Sequence, residues 1–178
     1  MKKLITALAL VAATSVALAD SFTLEYTNAD VIGKVDQKRY KIGYKHDLTK
    51  TLSADVSTVM SVNDGTNALG ARQELGLTNK FGSFYTRAAI GQKFSNTTHT
   101  GYYLVEPGVQ VPVDDYSFKF GYRYRTATDS AVLDQTRTTR LGVSYKLDKT
   151  NSISTGYDRM RGDSNQNSVS IAYTRNFN

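Results

Sequence analysis

The chain has 178 residues, 40% of them apolar, and carries 22 lysines and arginines against 16 aspartates and glutamates, a formal net charge of +6. It contains no cysteine and no tryptophan, but 12 tyrosines and only two prolines. These counts exclude a disulfide-stapled scaffold, and no stretch beyond the N-terminus approaches the ~18 consecutive apolar residues of a membrane-spanning helix.

Residues 1–19, MKKLITALALVAATSVALA, have the pattern of a cleaved export signal: basic Lys2 and Lys3, an apolar run from Leu4 to Val11, and Ala17-Leu18-Ala19 as the cleavage site. Residues 20–178 are then expected to form one exported domain.

From there onward the hydrophobic period is two, the spacing of a strand with unlike faces. Phe22, Leu24 and Tyr26 alternate with Thr23 and Glu25, and Tyr40, Ile42 and Tyr44 with Arg39, Lys41, Gly43 and Lys45. Leu52, Ala54 and Val56 oppose Ser53, Asp55 and Ser57; Leu75 and Leu77 oppose Arg72, Glu74 and Gly76; Ala88 and Ile90 oppose Arg87 and Gly91. Val105, Val109 and Val111 oppose Glu106, Gly108 and Gln110. Residues 116–125, YSFKFGYRYR, are wholly aromatic on one row and small or cationic on the other. Three further segments follow, around Leu141–Leu147, Ile153–Tyr157 and Val169–Tyr173, making ten in all. Short turns at 46–50, 79–83, 113–116 and 147–151 alternate with usually longer polar links at 30–36, 63–68, 95–98, 126–135 and 162–167. The expected fold is therefore all-β: an up-and-down antiparallel barrel of about ten strands, with short turns on one rim and short loops on the other.

Periodicity alone does not say whether the apolar row faces a dry core or lipid. Two further features favour lipid, and hence a transmembrane barrel over a soluble periplasmic one. Aromatics gather at segment ends, with Phe22, Phe84, Tyr116, Tyr145 and Phe177 by the turns and Tyr26, Tyr40, Phe94, Tyr103 and Tyr124 by the loops. Two such belts match the girdles of membrane barrels. The polar row also carries mid-strand glycines 43, 76, 91, 108, 121, 142 and 156, which weaken a solvated strand face but relieve crowding inside a curved wall.

In this arrangement eleven basic residues point inward, Arg39, Lys41, Lys45, Arg72, Arg87, Lys93, Lys119, Arg123, Arg125, Arg140 and Lys146, against Glu25, Asp55, Glu74, Glu106 and Asp158. Arg72, Arg87, Lys119, Arg123, Arg125 and Arg140 are expected to line the lumen, with Glu74 and Glu106 as partners. Barrels of about eight strands are filled by their own side chains. The glycines are expected to vacate volume at mid-height, so a narrow pore and a plugged lumen both remain open readings. An open basic lumen would favour anions, and guanidinium forks with aromatics suit acidic sugars.

The C-terminal stretch SVSIAYTRNFN resembles the terminal strand of bacterial outer-membrane β-barrel proteins, in which alternating apolar positions end in an aromatic. Val169, Ile171, Tyr173 and Phe177 match; Arg175 and the trailing Asn178 depart from the pattern. FGYRYR and LGVSYKL are similar to strands of the small monomeric porins for oligogalacturonate and related acidic oligosaccharides, a family with more strands and a longer chain. The resemblance implies a monomeric porin-like channel in a Gram-negative outer membrane. Its partners would be membrane lipids, the barrel-insertion machinery and small anionic solutes, with no cofactor, metal or nucleic acid. A closed structural or surface-interaction barrel is the non-transport alternative.

Catalysis finds little footing. His46 falls in a turn and His99 by a loop, with Asp129 and Asp134 as its possible neighbours. Arg161-Gly162-Asp163 matches an adhesion tripeptide, and Asn63-Asp64-Gly65-Thr66-Asn67 a fragment of a calcium loop, but turn chemistry accounts for both.

Overall fold

The computed structural model describes residues 21–33, 35–64, 69–95 and 98–177, so the expected export signal, Asn178 and most of the calcium-like stretch lie outside the described residues. Ten strands follow in chain order: β1 (Ser21–Val31), β2 (Gln37–Asp47), β3 (Leu52–Asn63), β4 (Leu69–Phe81), β5 (Phe84–Phe94), β6 (His99–Val113), β7 (Tyr116–Ala127), β8 (Thr136–Lys146), β9 (Asn151–Gly162) and β10 (Gln166–Asn176). Each pairs antiparallel with its neighbours in sequence, and β1 pairs with β10 from Ser21↔Asn176 to Val31↔Gln166. The sheet is thereby a closed barrel without an edge, the form in which strands can cross lipid with every backbone group satisfied.

The strands run from 11 to 15 residues, at or beyond the upper end of the ~9–11 that a crossing requires, and their loop ends extend into polar sequence such as Asn28 and Asp30 on β1. His46 belongs to β2 and not to the following turn. At the turn rim, two-residue connections join β4 to β5 and β6 to β7, and the first residue of each has positive φ, 60° at Gly82 and 52° at Asp114. Tight hairpins need that conformation, and aspartate is among the few non-glycine residues that tolerate it.

The turn between β8 and β9 is held differently. Asp148 accepts hydrogen bonds from the Asn151 side chain and from the backbone N–H groups of Thr150 and Asn151, with Thr150 Oγ1 adding another. These donors, the Asn151 side chain foremost, hold its carboxyl down at a pKa of about 2. A depressed carboxyl contributes stability above its unfolded pKa of about 4 and loses it as pH falls through the folded value. Hydrogen exchange at the amides of Thr150 and Asn151 is therefore expected to lose protection between about pH 4 and pH 2 relative to the Gly82–Ser83 turn, and Asp148→Ala to abolish that difference at neutral pH.

The sheet is turned inside out relative to a soluble barrel. Leu24, Leu75, Ile90, Phe118, Phe120, Leu141 and Ile171 all point outward and are exposed, Ile90 at 63%. A continuous apolar belt of this kind is not a surface that water wets without cost. Among the described strand residues, the lysines, arginines and carboxylates on the outward rows stand only towards the rims, at Asp30, Lys38, Arg137, Arg159, Arg161 and Arg175. Aromatics frame the belt: Tyr26 and Tyr40 pack at 5.5 Å between ring centres near the loop rim, and Tyr116 and Tyr145 at 4.9 Å near the turn rim. Between β10 and β9, Tyr173 donates a hydrogen bond to Asn151. Arg175 lies over the Phe177 ring, 5.7 Å from its centre, so the departure from the terminal-strand pattern is accommodated by a cation–π contact.

Candidate lumen site

The inner rows of β4 to β7 carry large and charged side chains that meet around two buried carboxylates. Glu106 is 0% exposed. Arg123 reaches its Oε2 at 2.7 Å and Arg140 at 3.1 Å, Lys119 stands 3.6 Å from Oε1, and Tyr85 Oη donates to Oε1 at 2.9 Å. Arg140 continues to Asp158 at 3.0 Å. The β6–β7 ladder runs to Val105↔Tyr124 and resumes at Gly108↔Gly121; between them stands Pro107, which has no N–H to give.

The second centre is Glu74. It accepts from Tyr102 Oη at 2.9 Å and pairs with Arg87 at 2.6 Å. Arg87 also holds Asp55 with two nitrogens, at 3.0 and 2.6 Å. Burying charges this way costs little only when each has a close partner of opposite sign, and here the partners of the two centres come from β3 to β9.

A third group sits nearer the loop rim. Asp134, from the link between β7 and β8, turns inward to Arg125 at 2.9 Å and to Lys93. Arg125 is buried and lies 5.5 Å from the Tyr102 ring centre.

Most of the basic residues expected in the lumen are therefore paired. Seven of the eight candidate lining residues, Arg72, Glu74, Arg87, Glu106, Lys119, Arg123 and Arg140, border a cavity of about 440 Å³. The eighth, Arg125, does not border it, being engaged with Asp134. Nine lysine and arginine side chains and five carboxylates line this cavity. Three of these cations, Arg39, Arg72 and Lys80, have no carboxylate partner among the described residues. Arg39 donates to Gln37 at 2.7 Å and Gln166 at 2.5 Å. Arg72 makes no hydrogen bond or ion pair, and its Nε is buried without a partner.

The glycines behave differently from the expectation that all of them leave space. A Cβ at Gly91 would overlap the Tyr102 ring, one at Gly108 the Tyr85 ring, and one at Gly121 would lie 2.5 Å from Tyr85 Oη. Gly76 receives the Arg87 guanidinium in the same manner. These glycines are seats for large side chains. Gly43 and Gly142 do keep room, their nearest neighbours lying at 3.8 and 3.6 Å. Besides the larger cavity, a second of about 200 Å³ runs against Gly142, Ser144, Ser154, Gly156, Ser170 and Ala172 of β8 to β10.

Tyr85 and Tyr102 are the inner residues that sequence reasoning missed. Their alternation phase, shared with Arg87 and Glu106, was the available signal. Loop-rim expectations for catalysis gain no geometry, since His99 packs edge-on against Phe94 at 5.3 Å and Asp134 is taken by cations. The adhesion-like tripeptide is likewise engaged internally. Arg161 donates to the Met160 and Gln166 carbonyls, and Asp163 accepts from the Gln135 N–H at 2.6 Å.

No family model matches the sequence, and no curated protein does. Among solved structures, the chain is similar to the KdgM porin in complex with disordered oligogalacturonate, with 10% identity and a TM-score of 0.52 over 88% of this chain and 99% of that one. An outer membrane channel from Pseudomonas putida F1 aligns with 8% identity and a TM-score of 0.53 over 90% and 96%. The translocator domain of the autotransporter NalP from Neisseria meningitidis aligns with 12% identity and a TM-score of 0.50 over 98% and 96%. At these identities the likeness is one of fold, and the fold is that of the outer-membrane β-barrels.

Proposed function

We propose that the protein is a monomeric, narrow passive channel of a Gram-negative outer membrane that favours small anionic solutes, acidic oligosaccharides among them. The observation that carries this reading is the cationic excess around the 440 Å³ cavity, with Arg39 and Arg72 lacking carboxylate partners. Lining charge selects permeant ions. The fold likeness to the KdgM porin, solved in complex with oligogalacturonate, supports acidic sugars as the solute class. The chain would reach the membrane through its export signal and the barrel-insertion machinery, and would act without catalysis.

Reversal potentials in planar bilayers under a salt gradient test the proposal. Anion preference is expected. Arg39→Glu/Arg72→Glu should lower the anion-to-cation permeability ratio at least about fivefold, since a unit charge at close approach is worth ~1 kcal/mol even in water. These positions are better probes than Arg123 and Arg140, whose reversal would first disrupt Glu106. Cation selectivity in the unmodified protein would overturn the reading. A barrel that folds yet gives no conductance steps would instead favour the closed structural alternative, for which the seated tyrosines and the inward Asp134 speak.

A further inference from the structure

Three arginines face away from the lumen near the loop rim of β8 and β9. Arg137 and Arg161 stand directly opposite each other in the register, and Arg159 lies two residues along β9 on the same face, about 7 Å away by strand geometry. Like charges placed across a ladder repel. Among the described residues Arg137 and Arg159 make no hydrogen bond or ion pair, while Arg161 rests on the Met160 and Gln166 carbonyls and Asn167 Oδ1. Nearby acids are otherwise placed. Asp163 caps Gln135, and Asp30 stands two strands from Arg159, beyond Asn167, without an ion pair. Among the described strand residues the other cation on the loop-rim outer face, Lys38, is neutralised by Asp64 at 3.1 Å.

Directly below the triad begins the apolar belt, with Leu141, Tyr157 and Val169 exposed. The patch thus offers concentrated, uncompensated positive charge at headgroup level, continuous with an apolar wall at acyl-chain level. A free anion would use only the first; a lipid uses both. We infer that Arg137, Arg159 and Arg161 form a binding site for a phosphorylated glycolipid of the outer leaflet, its phosphates on the guanidiniums and its acyl chains along β8 to β10. The inference rests on the reading of the protein as an outer-membrane barrel with its loop rim outward.

Native mass spectrometry of the detergent-folded protein with bisphosphorylated lipid A, and with its dephosphorylated form, tests this, folding being checked separately by heat-modifiable migration. Preference for the phosphorylated lipid is expected. Arg137→Gln/Arg159→Gln, which spares the backbone contacts of Arg161, should weaken its binding on the order of 25-fold, about fivefold for each arginine near an anionic surface. Equal binding of the two lipids by a folded barrel, or undiminished binding by the folded variant, would overturn the proposal while leaving the channel reading intact. Displacement of the lipid by millimolar inorganic phosphate would overturn the lipid assignment in favour of a free-anion site. A chain that never becomes heat-modifiable would overturn the membrane-barrel reading and this site with it.

Discussion

Replacing Glu106 with alanine is expected to lower the unfolding free energy of the barrel by about 3–5 kcal/mol in lipid vesicles, the range found when one partner of a buried ion pair is removed. Glu106 has no solvent exposure, and Arg123, Arg140 and Lys119 converge on it from two neighbouring strands. Without its carboxylate these cations would face one another unpaired, Arg123 at only 15% side-chain exposure, and Tyr85 would lose its acceptor. Arg140 retains Asp158 and Lys119 is 43% exposed, so the loss falls mainly on Arg123. Glu106→Gln keeps the volume and an acceptor for Tyr85 and should fall between the variant and the parent. Urea titration followed by heat-modifiable migration and tyrosine fluorescence measures this. A shift below about 1 kcal/mol, typical of exposed pairs, would show that water reaches the cluster freely and that the belt is not the framework of the lumen.

The second large effect concerns glycine. Gly91→Ala and Gly108→Ala should each destabilise the barrel by about 1–3 kcal/mol through overpacking, whereas Gly43→Ala should stay within about 0.5 kcal/mol. The first two positions are occupied on the lumen side by the Tyr102 and Tyr85 rings, while nothing approaches a Cβ at Gly43 closer than 3.8 Å. An added methyl at Gly91 or Gly108 would tilt a ring out of its seat and strain its hydrogen bond to Glu74 or Glu106. Parallel denaturation curves decide the matter, and equal effects at all three sites would dismiss the seating of the tyrosines in favour of a general strand preference.

Strand number, phase and the outward direction of the apolar row were legible in the sequence because each follows from a period of two summed over many residues. YSFKFGYRYR shows why: every aromatic in it shares one phase, and β7 places that whole row on the outside. The interior was less legible. Sequence phase says that Glu106 and Arg123 face the same space, but which cation meets which acid depends on reach across strands. Arg87, on β5, finds Asp55 on β3 as well as Glu74 next door. Phase also put Tyr102 on the inner row, yet a tyrosine beside Tyr103 reads as part of an aromatic belt. Its role emerges only with Gly91 opposite in the register to receive it. The inward reach of Asp134 had no periodic signal at all, because loops carry none.

The seam between β1 and β10 has a consequence for how the molecule comes into being. Its partners, Ser21 and Asn176 at one end, are separated by nearly the whole described chain, so the pairing that completes the cylinder is the most distant in sequence and the last for which all components exist. Contacts of that separation form slowly. Until β10 arrives, the growing sheet presents two open flanks able to recruit strands from any other chain. Assembly of this protein is thus a race between self-closure and foreign pairing, and it is won at the C-terminus.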